Sequence, residues 1–71
     1  MTSFLNPGDK ERLTQILVES EEEIDRHRAA ILIGFEEGKS MREIAEEVEA
    51  PVQRVLFWRR EYLKLGMDLF D

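Results

Sequence analysis

The segment from Gly38 to Trp58 constrains the fold more than any other part of the chain. Ser40 and Glu43 have the spacing of a capping box, in which a serine hydroxyl and a glutamate side chain bond the free amides at a helix start. Pro51 fixes φ and favours the first turn of a second helix only a few residues later. Two short helices joined so closely are typical of a helix-turn-helix.

Apolar side chains in this segment are spaced to pack the two helices together. Ile44 and Val48 fall on one face of the first helix. Val55 and Trp58 fall on one face of the second, and Ala45 is small enough to let the helices touch. A pair packed in this way usually lays its second helix in the major groove of DNA.

The remaining chain also carries helix signals, and no stretch alternates apolar and polar residues as a half-buried strand does. Asn6 is the expected cap of a first helix, and Ser20 with Glu23 forms a second capping-box pattern. Gly38 and Gly66 are expected helix stops, so the sequence predicts an all-α fold. Within a single domain of residues 1–71, the expected elements are helices at about 6–19, 21–37, 40–48 and 51–65 and a tail at 67–71 that folds back onto the core.

Three of these helices carry an apolar stripe, whose residues are spaced three or four positions apart. We expect each stripe to be buried. The stripes comprise Leu13, Ile16 and Leu17 in the first helix, Ile24, Ile31, Leu32 and Phe35 in the second, and Val55, Trp58, Tyr62 and Leu65 in the fourth. The side chains opposite the last stripe are then free to meet a partner.

Charge is unevenly distributed along the chain. The net charge is −6, which opposes nonspecific attraction to nucleic acid. Residues 1–38 carry four basic and nine acidic groups. Residues 51–66 are instead positive, with Arg54, Arg59, Arg60 and Lys64 against the single acid Glu61. The only positive segment is therefore the fourth helix.

Four residues lie opposite the apolar stripe of the fourth helix at the spacing i, i+4, i+7 and i+11: Gln53, Phe57, Arg60 and Lys64. All of them except Phe57 can hydrogen-bond to bases or phosphates. The expected base-facing residues are Gln53, Phe57 and Arg60, and the expected phosphate-facing residues are Arg54, Arg59 and Lys64. Phe57 is open to two interpretations, contact with a thymine methyl group or packing against a protein. The alternative for the basic residues is an ordinary solvated helix face.

The start of the third helix is a second candidate contact. Ser40 stands at a helix N-terminus, where a phosphate can bind, and Lys39 and Arg42 flank it. Capping alone also explains Ser40, and the two cations also fit an ordinary surface. The expected partner is double-stranded DNA, with a homodimer or another protein as the further expectation.

Composition disfavours other classes of function. The chain has no cysteine and a single histidine, His27, which we expect to be exposed, so no metal site or cofactor is expected. The acidic run from Glu19 to Asp25 is expected to be a solvated helix start rather than a metal site or a DNA mimic. A chain this short can hardly enclose a catalytic pocket, so neither an enzyme nor a small-molecule substrate is expected.

The start MTSFLNP has no signal-peptide pattern, and no apolar run is long enough for a bilayer, which predicts a cytoplasmic protein without membrane contact.

Six segments, which together cover much of the chain, match a known family in their order and spacing. They are Leu5–Leu13, Arg28–Leu32, Glu37–Ser40, Arg42–Ala45, Val55–Leu63 and Gly66–Leu69. The chain resembles the N-terminal homeodomain-like helix-turn-helix of bacterial insertion-sequence transposases of the mariner-like superfamily. The resemblance implies a three-helix homeodomain-like core with an additional N-terminal helix, and DNA binding through the fourth helix. The catalytic domain that follows in the intact enzymes is not among these residues, so the resemblance implies a transposase-derived or regulator-like binding module.

The chain departs from the family at the turn before the fourth helix. The family usually has glycine where this chain has Glu49, a bulkier apolar residue at Ala50, serine at Pro51 and threonine at Arg54. Replacing a left-handed glycine costs about 1 kcal/mol. Together with the negative net charge, Phe57 and the apolar tail of Met67, Leu69 and Phe70, this turn supports an alternative function. That alternative is an acidic protein–protein interaction module that kept the fold and lost DNA binding.

Overall fold

The structure is a computed structural model that describes residues 3–70 and contains helices and no strand over that range. The all-α prediction is confirmed, and each expected helix is present. The elements are α1 (Asp9–Glu19), α2 (Glu23–Glu36), α3 (Met41–Val48), α4 (Val52–Leu65) and a 3₁₀ helix (Gly66–Phe70). The last residue of the expected tail, Asp71, lies outside the described residues.

Helix α2 is the centre of the fold, because it packs against α1, α3 and α4. Its neighbouring residues Ile31 and Leu32 are fully buried and belong to two different clusters. The first cluster contains Leu5, Leu13, Ala29, Leu32, Tyr62 and Leu69, and the second contains Ile31, Ile44, Ala45 and Val55. The second cluster confirms the packing that the sequence predicts between the third and fourth helices.

The close approach of α2 to α3 depends on Gly34. A Cβ atom at this position would lie 2.8 Å from Cγ1 of Ile44, closer than a side chain tolerates. Ile44 is itself buried and has little room to move aside. The sequence identified only Ala45 as a small residue that allows two helices to touch. Gly34 has the same role between α2 and α3.

The connection from α2 to α3 follows the sequence prediction. Gly38 has a φ of 82°, and its amide donates to the carbonyl oxygen of Phe35 at 3.1 Å, which ends α2. The capping box is present: the Glu43 amide donates to Ser40 Oγ at 3.1 Å, and the Ser40 amide donates to Glu43 Oε1 at 3.0 Å. The hydrogen bonds from the Ser40 amide and hydroxyl hold the pKa of Glu43 below its ordinary value.

The connection from α3 to α4 contains the only left-handed non-glycine residue among residues 3–70. Glu49 has φ 55° and ψ 50°, a conformation that costs a residue with a Cβ atom about 1 kcal/mol. The Ala50 amide donates to the carbonyl oxygen of Ala45 at 3.0 Å, which closes the turn. Pro51 caps α4 rather than lying in its first turn. Glu49 therefore keeps the turn left-handed, with backbone strain that a glycine at this position would not have.

The predicted starts of the first two helices are wrong. Helix α1 begins at Asp9, and Asn6 accepts the Asp9 amide through its main-chain oxygen instead of capping with its side chain. Ser20 is the C-cap of α1, and its amide donates to the carbonyl oxygen of Ile16 at 3.0 Å. Its hydroxyl accepts from the Glu22 amide at 3.1 Å, so α2 begins at Glu23 without a capping box.

The apolar stripes are buried or half-buried except at the helix ends, with Ile16 and Trp58 half-buried. Leu17, Ile24 (46% exposed) and Leu65 (44% exposed) lie in terminal turns, and the prediction that they are core residues is wrong. The tail folds back as predicted, because Leu69 is buried in the first cluster and Phe70 packs against it. The tail is therefore part of the core and not a free apolar surface.

The residues before α1 are tied to α2 and α4. The Leu5 amide donates to Glu36 Oε1 at 3.0 Å, and the Asn6 amide donates to the Tyr62 hydroxyl at 2.8 Å. The centroids of the Phe4 and Tyr62 rings are 5.5 Å apart. The N-terminal helix is thereby held on the core through its leading segment as well as through its own apolar side chains.

Candidate nucleic-acid interface

Helix α4 is anchored on one side and exposed on the other. Val55 and Tyr62 are buried in the two core clusters. The residues on the opposite side and on its flank are all exposed. They form one surface, which we name the α4 face and which comprises Gln53, Arg54, Phe57, Arg60 and Lys64. The structure therefore brings five of the predicted site residues together.

The three cations of the α4 face differ in how they are paired. Arg54 and Arg60 form no ion pair with any residue from 3 to 70. Lys64 Nζ lies 4.0 Å from Oε2 of Glu61 in the same helix, and exposed pairs at such a distance are weak. The α4 face thus presents two unpaired guanidinium groups and one loosely paired ammonium group.

Phe57 is an exposed aromatic residue held by a core residue. Its side chain is 46% exposed. Its ring centroid lies 4.8 Å from that of Trp58 with an interplanar angle of 77°, an edge-to-face arrangement that aromatic pairs favour. Pro51, Gln53 and Arg54 complete the lining of a shallow groove beside the two rings. The exposed ring is therefore fixed in place beside polar neighbours.

Trp58 links the α4 face to the core, as the sequence predicts. It is half-buried and packs against the cluster that contains Ile31 and Ile44. The Arg28 guanidinium of α2 lies 4.0 Å from the centroid of the tryptophan ring, within the range of a cation–π contact. The support of Phe57 therefore extends from α4 to α2.

Helix α2 brings His27 to the edge of the α4 face, although the sequence predicts an exposed histidine. His27 is half-buried and lines a second groove with Arg54, Glu22, Glu23 and Ile24. Burial is the main cause that lowers the pKa of His27, and the positive charge of Arg54 lowers that pKa further. No local signal links the two residues, because only the crossing of α2 and α4 brings them together.

Arg59 lies apart from the α4 face. Its guanidinium carbon is 5.7 Å from the ring centroid of Phe4 and 5.6 Å from that of Phe35, where both rings attract the cation. A rotation of 100° per residue separates Arg59 from Gln53 by about 120° around α4. Arg59 is exposed, but it lies on a different side of α4 from the α4 face.

The second candidate contact, at the start of α3, is largely engaged within the chain. Lys39 Nζ donates to both carboxylate oxygens of Glu47 at 3.0 and 2.9 Å and lies 3.5 Å from Glu37 Oε1. The hydrogen bond with Glu47 is the main cause that raises the pKa of Lys39. Ser40 uses its hydroxyl in the capping box. Within residues 3–70, only Arg42 of these three site residues has no bond to an acidic or capping partner.

The described chain was also searched for metal-binding groups and membrane spans. No group of three or more histidine, aspartate or glutamate side chains from residues 3–70 is arranged to hold a metal ion. None of the helices in the same range has the length and apolar character needed to cross a membrane.

Comparison with known proteins identifies no relative. No family model, curated protein or solved structure matches the chain. The resemblance to the insertion-sequence transposases therefore rests on the six sequence segments, and the candidate interface rests on its geometry and charge.

Proposed function

We propose that the chain is a DNA-binding helix-turn-helix module, transposase-derived or similar to a transcription regulator, with a homeodomain-like core of α2, α3 and α4. The observation that carries the proposal is the two-sided character of α4. This helix is buried along Val55 and Tyr62 and exposed along the α4 face. A helix held by its neighbours with polar side chains outward suits insertion into the major groove.

The side chains of the α4 face have complementary roles in this proposal. Gln53 offers the amide that pairs with N6 and N7 of adenine, and Arg60 offers the planar donor pair that suits O6 and N7 of guanine. Arg54 and Lys64 flank them and bind phosphates. Arg59 is left out of these contacts, because it lies on another side of α4, near the rings of Phe4 and Phe35.

The acidity of the chain limits the affinity of this module. The net charge of −6 repels phosphates, and Glu22 and Glu23 lie near Arg54 at the edge of the α4 face. The two phosphate contacts, from Arg54 and Lys64, give a salt slope of about −1.8, from about −0.9 per contact. So small a footprint binds weakly, and we propose that a homodimer or another protein completes the site.

Fluorescence anisotropy with a labelled mixed-sequence duplex tests the proposal. Binding should weaken steeply between low and near-physiological salt, and Arg60→Ala should weaken it by about tenfold, the loss expected for one base-contacting arginine. Arg12→Ala is the matched control, since it removes an exposed arginine from α1, and it should leave affinity nearly unchanged. Absence of binding at low salt, with the protein folded, would contradict the proposal.

Exposed apolar residues on α4 favour a second candidate, a protein–protein interaction module that has lost DNA binding. Val52 and Leu63 are 37% and 59% exposed and lie on one side of the helix, next to Arg60. This candidate predicts concentration-dependent association in sedimentation experiments that Leu63→Ser abolishes. Val18→Ser, at the exposed side chain of α1, is the control. A monomer at all concentrations that binds DNA would exclude self-association.

A further inference from the structure

We propose that the groove beside Phe57 reads the 5-methyl group of thymine. The proposal rests on the DNA-binding function proposed above and names a base that the α4 face selects. Phe57 lies at the centre of that face, one turn after Gln53 and one turn before Arg60. The face therefore places a single large apolar group among side chains that hydrogen-bond.

The chemistry of the major groove matches this arrangement. Among the edges of the four bases in that groove, only thymine presents an apolar group, its methyl. The groove is lined by Pro51, Phe57 and Trp58, with donors from Gln53 and Arg54 at its rim. An apolar surface with polar neighbours can contact a methyl group while base edges and phosphates meet the side chains around it.

The ring of Phe57 is positioned before any partner arrives. Its edge-to-face contact with Trp58 is 4.8 Å between centroids, and Trp58 is held in turn by Arg28 at 4.0 Å and by the core. A side chain that is already ordered loses little conformational entropy on binding. Contact with the methyl group therefore adds to affinity with little cost.

Charge identifies the occupant as nucleic acid rather than an apolar protein surface. Arg54 lines the groove and Arg60 follows Phe57 by one turn, and neither forms an ion pair within residues 3–70. An apolar protein partner would bury these guanidinium groups without an acceptor, which is costly. A phosphate beside the thymine satisfies Arg54, and the guanine edge proposed above satisfies Arg60.

The position of Gln53 extends the selection to a neighbouring base. Gln53 and Phe57 are four residues apart, about 6 Å along the helix axis at 1.5 Å per residue. Base pairs are stacked about 3.4 Å apart, so the two side chains reach bases within about two steps of each other. We therefore expect sites in which an adenine and a thymine lie within that distance.

A pair of duplexes that differ only in methyl groups tests the proposal. One duplex contains thymine, and the other has uracil at each thymine position, with the same phosphates and hydrogen-bonding edges. The folded wild type should bind the uracil duplex about threefold to fivefold more weakly for each contacted methyl group. Phe57→Ala should bind both duplexes equally, whereas Val18→Ala, which truncates an exposed apolar residue of α1, should keep the preference.

The outcomes separate this proposal from the function on which it rests. Salt-dependent binding with equal affinity for both duplexes would overturn thymine reading and leave DNA binding intact. A Phe57→Ala variant that weakens both duplexes but keeps the preference would also overturn it, because the methyl contact would then lie elsewhere. Failure of the wild type to bind either duplex at low salt would overturn both proposals.

Discussion

The hydroxyl of Tyr62 on α4 donates a hydrogen bond to Oδ2 of Asp9, the first residue of α1, at 2.7 Å. Within residues 3–70, Asp9 is the only buried charged residue. The same hydroxyl accepts the Asn6 amide at 2.8 Å. Burial, with the added effect of Asp9, raises the pKa of Tyr62 to about 12, so the hydroxyl stays protonated and able to donate. This bond fixes the N-terminal segment to the helix that carries the proposed DNA contacts.

We predict that Tyr62→Phe lowers the free energy of unfolding by about 2 kcal/mol, because it leaves the buried Asp9 carboxylate and the part-buried Asn6 amide without this partner. Urea denaturation followed by circular dichroism measures the change. The contribution of the hydroxyl should also fall as pH rises from 10.0 towards 12, because the unfolded chain loses the tyrosine proton first. A change below about 0.5 kcal/mol would contradict a structural role for this bond.

Gly34→Ala should destabilise the fold by about 1–2 kcal/mol despite the better helix propensity of alanine. The new methyl group would lie 2.8 Å from Ile44 Cγ1 and 3.0 Å from Ile44 Cδ1. Thermal unfolding of the single variant tests this. In an Ile44→Ala background the loss should shrink, since Cγ1 and Cδ1 are both absent, and an undiminished loss would point to a cause other than this contact.

Glu49→Gly should stabilise the fold by about 1 kcal/mol, because glycine adopts the left-handed conformation at φ 55° without strain. Glu46→Gly is the matched control, since it makes the same exchange inside α3 and should destabilise by about 1 kcal/mol. The turn is already left-handed, so Glu49→Gly should change DNA affinity by less than about twofold. A large gain in affinity would mean that Glu49 alters how α4 meets the groove.

The free energy of unfolding should decrease as pH falls from 6.5 past the pKa of folded His27, which lies below 6.5. Burial and the nearby Arg54 favour the neutral imidazole, Arg28 acts in the same direction, and Glu23 opposes them. The unfolded chain therefore takes up the proton at a higher pH than the folded chain, which favours unfolding in that window. Urea midpoints measured across the window should fall more for the wild type than for His27→Asn.

The imidazole titration itself provides a direct check by NMR. The folded protein should show a pKa of His27 below 6.5, and Arg54→Gln should raise it by removing a positive charge. A pKa at or above 6.5 in the wild type would contradict the burial of this side chain beside Arg54.

Short sequence patterns predicted those features of the fold that depend only on residues within about one helical turn of each other. The capping box of Ser40 with Glu43 and the helix stop at Gly38 involve residues a few positions apart, and both are present. The same pattern failed at Ser20, whose amide bonds the end of α1 and whose hydroxyl accepts the Glu22 amide, so that Glu22 rather than Ser20 precedes α2. A capping motif is therefore informative only where no earlier helix uses the same residue.

The candidate site was predictable where it depends on helical periodicity and not where it depends on tertiary contacts. The spacing of Gln53, Phe57 and Arg60 correctly placed them on one exposed face. The approach of Arg59 to two aromatic rings and the position of His27 beside Arg54 arise from residues far apart in the chain. Periodicity along one helix contains no information about such neighbours.

The most direct test of DNA binding through α4 is an amide-shift titration of isotope-labelled protein with a mixed-sequence duplex at low and near-physiological salt. We predict salt-sensitive shifts concentrated in residues 51–64, with smaller shifts near Arg42 and little change in α1. The absence of shifts at low salt, or shifts spread over α1 and the C-terminal 3₁₀ helix without salt dependence, would contradict the proposed interface.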